Sequence, residues 1–565
     1  MRNNLYLSLS VVSALALTSC NKLGNLSADN FTVTPTPLEA IGGQVPATIN
    51  GKFPEKYLKK KAVVTVTPVL KYEGGEAKGQ SAAFQGEKVE GNNQTISYKV
   101  GGNYTMKSLF DFVPAMMKSD LYLQFDAKVG KKTVTVPEVK IGYGVIATSE
   151  LLKNALASTN PATAPDAFQR VIKQRQEANI KFLIQQANLR SSELKSASVQ
   201  DFIKMLKDIK ADQEGKALNN IEVSAYASPD GAFDLNKNLA EKRQDVSEKY
   251  LQKELKANKM DADVQTNYTA EDWEGFQELV SQSNIQDKEV ILRVLSMYKE
   301  PEERERQIRN ISTVFKELAD QVLPELRRAR LAINYELIGR SDDQIIAQFK
   351  SDASKLSVEE LLYGAGMLME KPADKQAWYQ KTTQLYGNDY RAFNNLAQLA
   401  YRNGDLASAE SYLNKAKSLK ADASEVNTNL ALIALNKGNV SAAETYLAKG
   451  SGADSFQEVM GCLNIAKGNY TQAAGNLSGN ATNAAALAQL LNKDYASAKS
   501  TLDKVTTPDA CTSYLKAIAA ARTNDAAGVS ANLTKAISLD PSLAQRAVND
   551  LEFINYATTV KSLVK

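Results

Sequence analysis

The sequence of 565 residues contains no histidine, three cysteines and two tryptophans. Without histidine, Ser-His-Asp and Cys-His catalysis, His-bearing zinc sites and histidine ligation of haem are excluded. Three cysteines with no CxxC leave neither a disulfide scaffold nor a thiolate cluster. Charge of one sign is also missing: 68 Lys and Arg stand against 64 Asp and Glu. A net charge of +4 spread along the whole chain does not make a nucleic-acid surface. No Walker loop, no GxGxxG ahead of a helix and no looped calcium-ligand series occurs. A chain with no cofactor, no resident metal and no catalysis is therefore expected. What remains is an ordinary globular composition, 43% hydrophobic and 23% charged, long enough for three or more domains.

The opening Met1-Arg2-Asn3-Asn4 is followed by an apolar run from Leu5 to Leu17. That run is too short to span a bilayer and has the length of a signal-peptide core. It ends Leu17-Thr18-Ser19-Cys20, which resembles a bacterial lipobox. The resemblance implies that residues 1–19 are a lipoprotein signal peptide and that Cys20 becomes the lipidated first residue. The alternative is an ordinary secretory signal with a chance cysteine. After Cys20 no aspartate stands at the second position. By analogy with lipoprotein sorting, this resembles a lipoprotein of the outer membrane facing the periplasm. Cys462 and Cys511 read as small core residues, with a disulfide between them left open.

Residues 20–150 read as a lipid anchor followed by an all-β sandwich. Val63–Val66 begins one alternating run, and Leu121–Val129 and Thr133–Val136 flank the loop Gly130-Lys131-Lys132 as a hairpin. Several such strands at short spacing suggest a small sandwich. The basic run Lys56 to Lys61 is expected to be a solvated strand edge. Ser158 to Asp166, with two prolines among small polar residues, reads as a linker or domain edge.

Residues 165–342 follow the order β-α-β-α-β, a helical stretch, then β, which predicts an α+β fold with helices on one face. The strands are placed at Ile180–Ile184, Asn220–Tyr226, Ala262–Tyr268 and Arg327–Tyr335. The stretch Ala225-Tyr226-Ala227-Ser228-Pro229-Asp230-Gly231, with Asn236, Leu239, Arg243 and Tyr250-Leu251, resembles the OmpA-like peptidoglycan-binding domain. The pair Arg327-Arg328 entering the last strand is also similar. The resemblance implies that Arg243 could hold the carboxylate of diaminopimelate in peptidoglycan, with Asn236 shaping the loop. Where the family places the aspartate that grips the ammonium end, this chain has Ser228; Asp230, two residues on, is the candidate replacement. This Ala-Ser-Pro-acidic-Gly loop is similar to that of envelope lipoproteins of Bacteroidota type. Either the domain still binds peptidoglycan, or the fold survives as a scaffold with Arg243 in an internal salt bridge. An insertion at about 269–322 reads as two or three amphipathic helices, with Trp273 a core anchor.

Residues 345–565 are repetitive. Gly404, Gly438 and Gly468 each precede an alanine by five positions and a leucine by nine, and weaker copies begin at Lys493 and Asn524. The first step, 34 residues, equals the tetratricopeptide period. The resemblance is to a tetratricopeptide solenoid, all-α, which implies a concave face that binds a partner protein. Ser357 looks like the capping residue of an earlier helical pair reaching Tyr386.

Together these expectations describe a non-catalytic envelope lipoprotein that tethers the outer membrane to peptidoglycan and recruits a partner protein through its repeats. Its partners would be peptidoglycan, the membrane through its lipid, and an envelope protein on the repeats, with no nucleic acid. The alternative is an interaction scaffold of an outer-membrane biogenesis or secretion complex that does not bind peptidoglycan.

Overall fold

The computed structural model describes residues 23–285, 288–310 and 312–564, so the signal segment and Cys20 lie outside the described residues. The chain divides into two compact units, 1–166 together with 369–565, and 167–368.

The described residues of the first unit carry ten strands ahead of its α-helices: β1 (Phe31–Thr34), β2 (Gln44–Phe53), β3 (Ala62–Tyr72), β4 (Gly75–Lys78), β5 (Ala82–Gly86), β6 (Gln94–Ile96), β7 (Gly102–Asp111), β8 (Ser119–Val129), β9 (Lys132–Thr135) and β10 (Val139–Gly144). One sheet has the order β1-β2-β7; the other runs β10-β8-β3-β5-β6, with β4 on β3 and β9 on β8. Alternate residues of facing strands share one core: Val45, Ala47 and Ile49 of β2, Val64 and Val66 of β3, Leu121 and Leu123 of β8. This is the period-2 burial of a sandwich. The β8–β9 hairpin turns where the glycine-bearing loop was expected. The basic run differs from expectation: Tyr57 and Leu58 are fully buried, and Tyr57 stacks on Phe53 with ring centroids 5.4 Å apart. The apolar pair inside the run anchors it, so it is a loop pinned to the core rather than a solvated edge.

The C-terminal part of this unit is a run of helical hairpins: Tyr390–Arg402 with Leu406–Leu419, Ser424–Asn436 with Val440–Leu447, Phe456–Ala466 with Tyr470–Asn476, Asn483–Leu491 with Tyr495–Asp503, and Ala510–Arg522 with Ala526–Leu539. The repeated glycine has a definite cause. Gly404, Gly438 and Gly468 hold φ of 77°, 72° and 78°, and Lys493 and Asn524 occupy the same turn position at 65° and 58°. The turn demands a left-handed residue, which glycine adopts at least cost. The next residue caps the second helix: the side chains of Asp405, Asn439, Asp494 and Asp525 each accept a hydrogen bond from the backbone N–H three residues on. Ala409, Ala443, Ala473 and Ala498 are all fully buried, letting the paired helices approach closely, and Val529 takes that position in the last hairpin.

Between sandwich and repeats, the short helical turns Thr148–Leu151, Leu152–Ala155 and Leu156–Ser158 lead into an extended segment. Leu151, Leu152, Ala155 and Leu156 belong to the same buried cluster as the repeat helices. The sandwich and the repeats fall in one compact unit, and residues 158–166, expected as a linker or domain edge, are packed against the repeats and end where that unit gives way to the second.

The second unit carries β11 (Val171–Lys181), β12 (Lys216–Tyr226), β13 (Val264–Thr269) and β14 (Arg328–Ile338) in the order β11-β14-β12-β13. β12 and β13 are parallel, and β14 is antiparallel to both β11 and β12. The helix Ala197–Ala211 buries Val199, Phe202, Ile203, Leu206 and Ile209, the face expected from their spacing. β11 ends earlier than expected: Leu183 and Ile184 are exposed, beyond the last pairing of Lys181 with Arg328. Among the described residues, the segment before β14 holds five helices, from Trp273–Gln282 to Leu323–Leu326, with their own core that includes Phe276, Val280, Ile291 and Leu295. Trp273 packs against that core, its ring 5.6 Å from Phe276. Residues 342–368 belong to this unit rather than to the repeats. Arg340 pairs with Glu360 at 2.8 Å, Tyr363 donates to Asp342 at 3.0 Å, and Ser357 caps its helix as a capping box. No helix among the described residues is long and apolar enough to cross a membrane.

The buried alanines make a direct prediction. Ala473→Leu forces a larger side chain between paired helices and should lower the stability of the chain by about 1–3 kcal/mol, read as a lower urea midpoint.

Candidate functional sites in the middle unit and the repeat groove

In the middle unit, the loop from Ala227 to Gly231 leaves the end of β12 and enters the helix Phe233–Ala257. Asn236, in the first turn of that helix, donates through Nδ2 to the carbonyls of Ser228 and Gly231, both at 3.0 Å. Asn236 is thus buried and fixes the loop. Ser228 is buried beside it and donates through Oγ to Asp230. Asp230 accepts from Arg327 Nη2 at 3.0 Å, and Arg327 Nε reaches Ser228 Oγ at 3.2 Å. These residues and Arg243 line one small cavity of about 60 Å³.

Arg243 is placed differently from a ligand-facing arginine. It is 1% exposed. Its guanidinium donates to three backbone carbonyls, of Tyr226 at 2.8 Å, Gln186 at 3.0 Å and Leu183 at 3.3 Å, and lies over the Phe182 ring. No carboxylate pairs with it among these contacts; the internal salt bridge is made by Arg327 and Asp230 instead. Burial, reinforced by the neighbouring Arg327 charge, lowers its pKa to about 10, against the opposing pull of Asp230. Arg243 ties the loop after β11 to the end of β12. Arg328 makes a second buried pair, with Asp272 at 2.9 Å. Burial raises the Asp272 carboxyl against the opposing pull of Arg328. Sequence reasoning noted Arg327 only as part of a family-like pair; its partnership with Asp230 depends on the sheet bringing the start of β14 beside the end of β12.

The repeats hold the second site, whose main features the sequence did not disclose. The segment from Ser158, the last residue of the turn Leu156–Ser158, to Asp166 is extended from Thr159 onward, lies along the repeats and is held mainly through its backbone. Asn395 accepts from the N–H of Ala164 and donates to its carbonyl, both at 2.9 Å. One repeat later Asn429 does the same for Ala162, at 2.6 Å and 2.8 Å. Asn394 supports both, donating to the Ala162 carbonyl at 3.0 Å and to Asn395 Oδ1 at 3.1 Å, and accepting from Asn429 at 3.0 Å. In the next repeat Glu458 accepts from the N–H and the side-chain amide of Asn160, both at 3.2 Å. In the one after, the backbone N–H of Asn483 donates to Ser158 Oγ at 3.0 Å. Gln398 reaches the Pro161 carbonyl at 3.1 Å and Thr163 Oγ1 at 2.6 Å. Ala162 and Ala164 are fully buried. Cys462 lies below Thr159, is a free thiol like Cys511, and is pushed up to about 12 by burial. The disulfide left open by the sequence is therefore not formed.

Residues 390–422 match the family model described as a tetratricopeptide repeat. No curated protein is similar enough to match the chain. Among solved structures, a tetratricopeptide repeat protein from Parabacteroides merdae is 15% identical, with 40% of this chain and 89% of that one covered, at a TM-score of 0.27. The Cut9–Hcn1 hetero-tetramer of APC/C is 13% identical over 40% of this chain and 46% of that one, at 0.30. Yeast Tom70 is 12% identical over 66% of this chain and 84% of that one, at 0.23. Scores of this size carry no argument about the fold of the whole chain.

Two predictions follow from these geometries. Arg243→Ala removes the donor from three carbonyls and should destabilise the middle unit by about 1–3 kcal/mol for each left unpartnered, measured by denaturant unfolding. The Glu458 carboxyl is raised by burial, against the donors of Asn160. A raised carboxyl favours the fold while protonated, and that contribution is lost as pH climbs through the folded value. The stability of Glu458→Gln relative to wild type should therefore improve as pH rises from below the carboxylate range to neutrality, read from paired melting curves.

Proposed function

We propose that the protein is a non-catalytic interaction scaffold of the bacterial envelope, anchored by a lipid on Cys20 to the outer membrane and facing the periplasm. The repeats recruit a partner protein, and the middle unit is an OmpA-like fold reused as a structural element. The observation that supports the scaffold over a cell-wall tether is the commitment of Arg243 to three backbone carbonyls. Three of its five N–H donors are spent on the fold, and at 1% exposure the group is withheld from a carboxylate ligand. The anchor rests on the resemblance of Leu17-Thr18-Ser19-Cys20 to a lipobox.

A second reading, a tether between outer membrane and peptidoglycan, is favoured by the gathering of Ser228, Asp230, Asn236 and Arg327 around one cavity beside Arg243. In that reading Asp230 grips the ammonium of diaminopimelate and exchanges Arg327 for it.

Co-sedimentation of the full chain with purified peptidoglycan separates the two. Under the scaffold reading the chain stays in the supernatant at all peptidoglycan concentrations. Saturable binding that Asp230→Asn abolishes would replace the scaffold with a tether. The anchor is tested by metabolic labelling with radioactive palmitate: wild type should take up label and sediment with membranes, and Cys20→Ala should do neither.

A further inference from the structure

The groove of the repeats is already filled by the chain itself, and its filling follows a rule. Ala164 is read by Asn395, Ala162 by Asn429, Asn160 by Glu458 and Ser158 by Asn483. Each step back of two residues along the segment is one repeat forward. Side chains of an extended chain alternate with a period of two, and two residues advance about 7 Å. One face of the segment thus meets one helical hairpin after another, with the chain running opposite to the order of the repeats.

We infer that residues 158–166 are a ligand held in cis by a groove that recognises extended polypeptide at two residues per repeat. A partner enters only by replacing that segment. The inference deepens the proposal that the repeats recruit a protein, and it fixes the chemistry of the recruited segment. Asn395 and Asn429 read N–H and C=O together, which any non-proline residue supplies. Side chains at those two positions must be small, because Ala162 and Ala164 are fully buried. Neighbouring positions tolerate proline, as Pro161 is buried with its carbonyl bound by Gln398. Acidic side chains are disfavoured, since Glu458 and Asp454 accept backbone N–H groups of the segment, Asp454 that of Thr163 at 3.3 Å. The partner segment is therefore extended, not acidic at the positions of Asn160 and Thr163, and small at those of Ala162 and Ala164.

The test uses the full chain and a fluorescent peptide with the sequence of residues 157–167. Hydrogen exchange of wild type comes first: the N–H groups of Ala162 and Ala164 should be strongly protected. Ala162→Asp with Ala164→Asp evicts the cis segment. Wild type should bind the peptide negligibly, and the evicted variant should bind it saturably. Adding Asn395→Ala and Asn429→Ala should weaken that binding by about tenfold for each two-bond pair lost. A peptide carrying both aspartates should not bind. Exchange of the Ala162 and Ala164 amides at unstructured rates would overturn the inference, and so would equal peptide binding by wild type and the evicted variant. A folded evicted variant that binds no peptide would also overturn it. If eviction unfolds the chain, the wild-type exchange result decides alone. These readouts do not depend on peptidoglycan, a lipid or a recruited protein, so failure here is distinguishable from failure of the scaffold proposal.

Discussion

The first unit depends on the pairing of two asparagine side chains with the backbone of Ala162 and Ala164. A buried extended strand has no neighbouring strand to satisfy its peptide groups, and an unpaired buried peptide group costs about 1–3 kcal/mol. Asn395 and Asn429 act as substitute strand partners, each supplying one donor and one acceptor in the spacing of a peptide bond. With those groups satisfied, the segment can lie inside the repeats. The helical turns before it then bury Leu151, Leu152, Ala155 and Leu156 in the repeat core. The sandwich is thereby held to helices more than two hundred residues away in sequence.

The middle unit meets the same constraint with arginine. Two loop carbonyls and the carbonyl at the end of β12 share one guanidinium, that of Arg243, and Ser228, Asp230 and Arg327 close a neighbouring network. Each arginine satisfies a different partner. Arg243 holds backbone, Arg327 holds the loop carboxylate, and Arg328 holds Asp272. The insertion helices contribute to the last of these, because Asp272 caps the helix Trp273–Gln282 while it accepts from Arg328.

Much of the architecture was legible because its causes are local. Glycine at a left-handed turn, an acidic or amide cap next to it and a buried alanine five residues on stand together in the hairpins turning at Gly404 and Gly438. The alternation of β8 and the turn at Gly130 are equally local. What was not legible depends on partners far apart in sequence. Asn395 and Asn429 look like ordinary polar residues of a helix face until residues 162 and 164 lie across them. Ser158 to Asp166 carried the composition of a linker, since proline, alanine and threonine mark both a free tether and a strand with small buried faces. The recurrence of asparagine at one repeat's distance, 395 and 429, was the available signal, and it points to a recurring ligand geometry. The loop residues Ser228, Asp230 and Asn236 are close in sequence and meet in the fold, whereas the partner of Asp230 came from the edge of β14, nearly a hundred positions on.

The order of synthesis gives the filled groove a further meaning. Residues 158–166 leave the ribosome before any of the helices that will enclose them, so the occupant is made before its receptor. Contacts of such long sequence separation form late, because closing the intervening chain is entropically costly. The sandwich and the middle unit can each fold in turn, while the segment between them stays uncovered until the hairpins that carry Asn395, Asn429, Glu458 and Asn483 arrive. Arrival of the first four hairpins is thus what covers the segment, and a chain truncated before Tyr390 would carry it unclaimed.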